Sequence, residues 1–242
     1  MQGIGEIVQK RIFLPWANLS VDINPKTLIT TWAIIFFILI AAVLIRRSMR
    51  RSPGRFSAAF ELMYTGFEDM AVEALGRDAR KFTPLIFTLF IFVLFCNWVG
   101  IIPGLKSPTY DLNTCLGLGI MMFVICHASA ILHKGVKEYV LSYTKPFFFF
   151  LPLNVVGEFG KVISHSFRLF GNMYAGAIIL ALAGPVTIKV FGALDLPSYS
   201  ASPVLLVSYF ILQGFFGLFV GTVQALVFAL LALTYIAVLR EV

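Results

Sequence analysis

The chain has 242 residues, of which 59% are hydrophobic and 13% charged, and its formal net charge is +7. Soluble domains contain about 25% charged residues, so this composition excludes an ordinary soluble enzyme and predicts a polytopic membrane protein. The arginines cluster beside an apolar segment rather than on a polar face, which argues against a nucleic-acid partner.

The first long apolar run, residues 28–45, is just long enough to cross a bilayer as a helix. Five arginines follow it closely: Arg46, Arg47, Arg50, Arg51 and Arg55. Because cytoplasmic ends of spans carry an excess of Lys and Arg, the N-terminus is predicted to lie outside. Residues 1–27 contain no apolar region of the signal-peptide type, so the first span is expected to be retained.

The next segment, residues 56–80, has an amphipathic pattern. Apolar residues recur at helical spacing from 56 to 75, whereas the acidic residues lie largely on other faces. This pattern predicts a surface helix on the cytoplasmic membrane face or against a partner subunit. Since an acidic helix does not seek anionic lipid, protein contact is the favoured interpretation.

Two further spans are predicted at 82–102 and 112–132. The earlier one closes at Pro103 and Gly104, and the connection after it is external by alternation. The later one ends in basic residues, which again indicates the cytoplasmic side.

The last two spans, 146–184 and 204–239, are unusually long. The proline-free stretch 153–183 corresponds to about 46 Å of helix, and 204–239 to about 54 Å, against a hydrocarbon core of about 30 Å. Both are therefore expected to tilt strongly, to bend or to extend beyond the bilayer. The predicted fold is one all-α integral membrane domain over 1–242, with five transmembrane helices, one amphipathic surface helix and a cytoplasmic C-terminus.

A polar stripe crosses the fourth span. Glu158, Lys161, His165, Arg168 and Asn172 follow steps of 3, 4, 3 and 4, so they share one helix face. A central arginine costs roughly 3 to over 10 kcal/mol in a bilayer, so such a residue is normally functional and faces protein or water. Arg168 stays protonated and cannot relay protons, but its charge can attract or deprotonate a passing carboxylate.

The other residues of the stripe have weaker assignments. Glu158 is ten residues from Arg168, too far for a direct bond along the helix. Its i, i+3 spacing to Lys161 predicts a local pair, which serves either ion conduction or anchoring at the cytoplasmic end. His165 is a potential proton carrier or a polar spacer that is hydrogen-bonded to a neighbouring helix, and the spacer is favoured.

The last span contributes amides and small residues to the same region. Gln213 and Gln224 are 11 residues apart and share a face, while Gly217 and Gly221 form a GxxxG motif that permits close helix approach. Gln224 is the stronger candidate of the two amides, because an amide can hydrogen-bond an arginine or a carboxylate.

The string SFRLFGNMYAG, from Ser166 to Gly176, resembles subunit a of F-type ATP synthase. The resemblance extends to FCNWVGIIPG at 95–104 and SPTYDLN at 107–113, and it covers nearly the whole chain. It implies a stator in the bacterial inner membrane, with two aqueous half-channels that end at a rotating ring of c subunits. The b subunits of the peripheral stalk are further implied partners. No catalytic chemistry, metal or cofactor is implied for this chain.

The resemblance also assigns roles to individual residues. Arg168 matches the arginine that releases the ion, H⁺ or alternatively Na⁺, from each c-subunit carboxylate. Asn172 and Gln224 match positions that support this arginine and the outer half-channel. Lys161 and Asp111 match recurring polar positions with weaker implied roles.

Two positions depart from the family pattern. Many relatives hold an ionisable pair at the positions of Ala177 and Gly217, where this chain has small residues. The expectation is that space for water replaces a titratable relay there.

Two other functions stay open from the residues alone. A haem protein would use histidines from His127, His133 and His165, with His133 and His165 facing each other from two helices. An independent channel or secondary transporter would conduct ions without partner subunits.

Overall fold

The computed structural model describes residues 10–14, 19–51, 54–102, 105–144, 147–193 and 201–241. The boundary residues Pro103, Gly104 and Pro146, and residues 194–200 between the last two predicted spans, lie outside the described residues. The helices are α1 (Pro25–Arg51), α2 (Arg55–Leu75), α3 (Ala79–Val99), α4 (Leu112–Lys134), α5 (Val136–Ser142), α6 (Leu151–Ala193), α7 (Ala201–Gln213) and α8 (Gly221–Glu241). The shorter elements are 3₁₀ turns at Gly76–Asp78, Pro108–Tyr110 and Phe148–Phe150, and a π-helical turn at Gly214–Val220.

The membrane-spanning part of the chain is all-α, as predicted. Within the described residues, five helical units are long and apolar enough to cross a membrane: Pro25–Ser48, Ser57–Val99, Leu112–Lys134, Phe148–Ala193 and Ser202–Arg240. Apolar runs take this form because a helix satisfies its own backbone hydrogen bonds in a medium without water.

A short antiparallel hairpin precedes α1, and sequence reasoning did not predict it. Its strands are β1 (Lys10–Leu14) and β2 (Leu19–Ile23), with Lys10 opposite Ile23.

The predicted amphipathic helix ends at Leu75 rather than at residue 80, because Gly76 turns the chain. Gly76 has a φ of +57°, a left-handed conformation that favours glycine. After this turn α3 packs against α2, and the Phe67 ring lies 5.5 Å from that of Phe87 and 4.9 Å from that of Phe90. The apolar face of α2 therefore makes its protein contact, at least in part, within the chain.

The core lies where α3 and α8 pack against each other. On α8, Ala225, Ala229 and Ala232 are completely buried, and on α3 Val93 is completely buried as well. Small residues let membrane helices approach closely, so that van der Waals contact can hold them together without a hydrophobic driving force. α6 packs mainly against α4 and less extensively against α8.

The two longest predicted helices differ from expectation in their interiors. α6 contains 43 residues, about 65 Å, and continues through Pro185 to Ala193. The last helix is not regular throughout, because the π-helical turn separates α7 from α8. Hydropathy reveals neither the continuation of α6 through Pro185 nor the π-helical turn, because the sequence is apolar across both.

Charged residues join the ends of α3, α4 and α8 on one side of the bundle. Nη1 of Arg240 lies 3.0 Å from Oδ2 of Asp78, and Nζ of Lys81 lies 2.8 Å from Oδ1. His133 is at the edge of this cluster, with Nδ1 3.9 Å from the same Asp78 carboxylate. The cluster ties the end of the chain to the turn between α2 and α3.

Candidate functional site

The polar stripe lies on one continuous helix, α6, but burial divides it. His165 is buried, and Glu158 and Lys161 are half-buried against the rest of the chain. Arg168 and Asn172 are exposed. The stripe thus passes from a packed part of α6 to a part where its polar side chains are exposed.

Arg168 is an uncovered cation on an apolar helix. Among the described residues, none forms a hydrogen bond or ion pair with its guanidinium. Exposed apolar side chains flank it, including Phe167 at 50% and Tyr174 at 51% exposure. An unpaired arginine is costly in lipid, so the exposed position of Arg168 is unfavourable where this face meets lipid alone.

An amide pair joins α6 to α8 one turn from Arg168. Nδ2 of Asn172 donates to Oε1 of Gln224 over 2.7 Å. Gln224 is 4% exposed, and its Nε2 is buried with no hydrogen-bond partner in the described part of the chain. The structure therefore brings together the two residues predicted to support the arginine, and it leaves one amide donor free.

Further hydrogen bonds fasten both ends of the π-helical turn. Gln213, just before the turn, donates from Nε2 to the Gly100 carbonyl over 2.8 Å. Asn97 donates from Nδ2 to the Gly221 carbonyl, also over 2.8 Å, and accepts from Thr109 through Oδ1. Sequence reasoning used Asn97 only as part of a resembling string, although an asparagine inside an apolar span was a usable signal.

A small cavity lies between α3, α6 and the π-helical turn. Its polar lining consists of Asn97, Tyr110, Asn172 and Gln213. Asp111, predicted as a minor site residue, does not line it. Oδ1 of Asp111 instead accepts from the Asn113 backbone N–H over 3.0 Å and caps α4.

Space for water was expected at Gly217. The volume that a side chain would occupy at this position is not empty, however. A Cβ at Gly217 would lie 2.5 Å from Cγ1 of Ile101, so that volume is already filled. The cavity lies beside this contact and is bordered by the Gly217 backbone. The glycine therefore permits close packing of the π-helical turn on the end of α3.

Gly217→Ala is expected to destabilise the protein, because its methyl group overlaps Ile101. Such overpacking costs about 1–3 kcal/mol, which exceeds the gain of about 1 kcal/mol from replacing a helical glycine by alanine. Gly214→Ala is the matched control, since no atom lies within 4 Å of a Cβ there. Thermal unfolding in detergent should show a loss for Gly217→Ala alone, relieved by Ile101→Ala. Equal behaviour of the two glycine variants would contradict this packing.

A second cavity lies between α4, α6 and α8, at the other end of the stripe. Nζ of Lys161 lies 2.6 Å from Oε1 of Glu158, the local pair that the i, i+3 spacing predicted. Both residues line the cavity together with His165. His127 of α4 also lines it, with Nε2 3.8 Å from Oε2 of Glu158. Sequence reasoning considered His127 only as a haem ligand.

His165 makes no hydrogen bond to a neighbouring helix within the described residues, so it is not the hydrogen-bonded spacer that was favoured. Its ring packs on Phe228 with centroids 3.9 Å apart, and both ring nitrogens are buried without hydrogen bonds to the described residues. His133, the other half of the conceivable haem pair, instead contacts Asp78 and Arg240. The two histidines therefore lie in different environments, and the structure does not favour the haem interpretation.

Comparison with known proteins gives consistent matches over nearly the whole chain. Residues 27–237 match the family described as ATP synthase A chain. ATP synthase subunit a of Desulforamulus reducens is 32% identical, over 92% of this chain and 82% of the relative. The proteins of the same name from Geotalea daltonii and Moorella thermoacetica are 34% and 31% identical, over 85% and 88% of this chain and 83% and 89% of those relatives.

Proposed function

The chain belongs to the family of ATP synthase A chains, membrane-spanning subunits of the ATP synthase complex, and from this premise we propose that it is the ion-conducting stator of a rotary F-type enzyme. In this function Arg168 faces a ring of c subunits and acts on the carboxylate that each one carries. H⁺, or alternatively Na⁺, moves through two half-channels that meet near Arg168.

The uncovered state of Arg168 is the observation that carries the proposal. A cation without a partner on an apolar surface is unfavourable for an isolated membrane protein. It is favourable when a moving carboxylate of another subunit supplies the opposite charge in each step. An independent channel offers no reason for an apolar face of this size to carry an unpaired arginine.

The positions of the two cavities support two offset paths. The cavity with Asn172 and Gln213 lies to one side of Arg168 along α6, and the cavity with Glu158 and Lys161 lies to the other. With the N-terminus outside and the C-terminus in the cytoplasm, the cavity at Glu158 belongs to the cytoplasmic path. The amide pair of Asn172 and Gln224 then stands on the outer side of the arginine.

Disulfide cross-linking tests whether the exposed face of α6 meets the ring. The chain's own cysteines, all buried, are first replaced by alanine: Cys96, Cys115 and Cys126. Phe167→Cys is then combined with one cysteine on the outer helix of the c subunit. Phe36→Cys on α1, where the side chain is 67% exposed, is the control.

We expect oxidation to join the c subunit to Phe167→Cys and not to Phe36→Cys. Cross-linking through α1 alone, in a complex that still assembles, would place the ring on another face and contradict the proposed function.

A further inference from the structure

A row of ionisable and hydroxyl side chains extends from the cavity at Glu158, and the family assignment gives these side chains no role. The hydroxyl of Tyr139, on α5, lies 2.5 Å from Nδ1 of His127. The hydroxyl of Tyr143 lies 2.9 Å from that of Tyr139. Tyr143 follows the end of α5 and is half-buried. The row of side chains therefore begins near the end of α4 that carries basic residues.

His127 connects these tyrosines to the carboxylate of Glu158. Its second nitrogen, Nε2, faces Oε2 of Glu158 at 3.8 Å and has no hydrogen bond to any described residue. The side chains of His127 and Glu158 are 12% and 14% exposed, so little water competes for the gap between them. One imidazole nitrogen thus faces a hydroxyl and the other a carboxylate, which is the arrangement that lets a histidine carry protons.

The other groups around His127 fit this task. Lys161 pairs with Oε1 of Glu158, which leaves Oε2 on the side of His127. Cys126 of α4 and Tyr235 of α8 also line the cavity. The Lys161 ammonium lies 5.8 Å from the centre of the Tyr235 ring. Burial, the contact with Tyr139 and the charge of Glu158 raise the pKa of Tyr143, which keeps this hydroxyl protonated and able to donate.

We propose that His127 relays protons between Tyr139 and Glu158 in the cytoplasmic half of the ion path. Inward from solvent, Tyr139 gives its proton to Nδ1 while it accepts one from Tyr143 or water. The imidazolium then releases the proton on Nε2 to Oε2 of Glu158, which leaves a neutral ring with its proton on Nδ1. A flip of the ring restores the form that accepts from Tyr139. During ATP synthesis the same steps run in reverse, so that Glu158 returns its proton through His127 to the cytoplasm.

The proposal rests on the proposed function and narrows it, because an imidazole relay passes H⁺ and not Na⁺. It also distinguishes the role of His127 from that of Arg168. Arg168 acts on the carboxylate of the ring, whereas His127 only supplies or removes the proton at the cytoplasmic end.

His127→Gln is the test variant, because glutamine keeps a hydrogen-bonding group but cannot bind and release a proton at neutral pH. The complex is reconstituted in liposomes, and passive H⁺ flow through the membrane sector is followed with an internal pH-sensitive dye. We expect the flow to fall by about a hundredfold, the low end of what loss of a positioned acid–base group causes. Added imidazole, a small mobile substitute, should restore part of it.

His133→Gln is the control, because this histidine of α4 is half-exposed and lies outside the cavity. We expect it to conduct like the unaltered protein, with or without imidazole. Conduction by His127→Gln at the unaltered rate would overturn the relay. A fall that imidazole does not relieve, in liposomes with matched amounts of assembled subunit, would show a structural role and would also overturn it. Neither outcome affects the assignment of Arg168, which its own variants test.

Discussion

Arg168→Ala is expected to stop ATP-driven ion pumping while the complex still assembles. At an effective dielectric constant of about 20, a charge about 4 Å from a carboxylate stabilises the ionised form by about 4 kcal/mol, which is about three pKa units. Without this charge the carboxylate of each arriving c subunit would stay protonated about a thousandfold more often, and rotation would no longer release its ion.

Inverted membrane vesicles provide the measurement, with a fluorescent dye that reports acidification after addition of ATP. Arg168→Lys is the matched control. Lysine retains a positive charge but lacks the planar fork and loses its proton more easily when desolvated, so partial rather than full loss is expected. Assembly is checked by the amounts of this chain and the c subunit in the membrane. Because Arg168 is exposed and forms no bond to the described chain, its removal should not unfold the protein.

The second large effect is expected for Gln224→Leu, which should impair pumping with little effect on stability. The substitution removes the 2.7 Å hydrogen bond from Asn172, worth about 1 kcal/mol, but it also removes a buried Nε2 without a partner, a burden of about 1–3 kcal/mol. The two terms oppose each other in the folded state. Function is expected to suffer because Gln224, in the proposed function, supports the charged pair that Arg168 forms with a c-subunit carboxylate.

Pumping and thermal unfolding should therefore respond differently in this variant. We expect coupled pumping to fall by about tenfold, the effect of one lost hydrogen bond to a charged group. Thr234→Val is the control on the same helix, since Thr234 is exposed and its hydroxyl bonds only within α8. If Gln224→Leu lost stability and pumping in parallel, the amide would be structural and its assignment to the ion path would be wrong.

The architecture could be predicted from the sequence because membrane helices are recognised by their length and apolar composition. The five spans and the stripe on α6 depend only on runs of apolar residues and on helical spacing. Asn172 and Gln224 were also predicted to act together at Arg168. That prediction rested on the family resemblance and not on residue spacing.

Features that depend on contacts between distant residues could not be predicted in this way. The π-helical turn has an apolar sequence that reads as ordinary helix, and hydrogen bonds from Gln213 and Asn97 to backbone carbonyls hold its ends. Gly217 has no room for a side chain because Ile101, more than one hundred residues earlier, lies against it, although a cavity borders the glycine beside this contact. The relay at His127 was missed for the same reason, since its partners lie on α5 and α6.

Gradient-driven ATP synthesis in proteoliposomes tests the central claim most directly. Complexes with Arg168 and with Arg168→Ala are reconstituted at equal amounts, an ion gradient is imposed, and ATP formation is followed with luciferase. We predict synthesis by the unaltered complex and none above background by Arg168→Ala, with both complexes fully assembled. Synthesis at the unaltered rate in Arg168→Ala would contradict the role of this residue as the fixed charge of the stator.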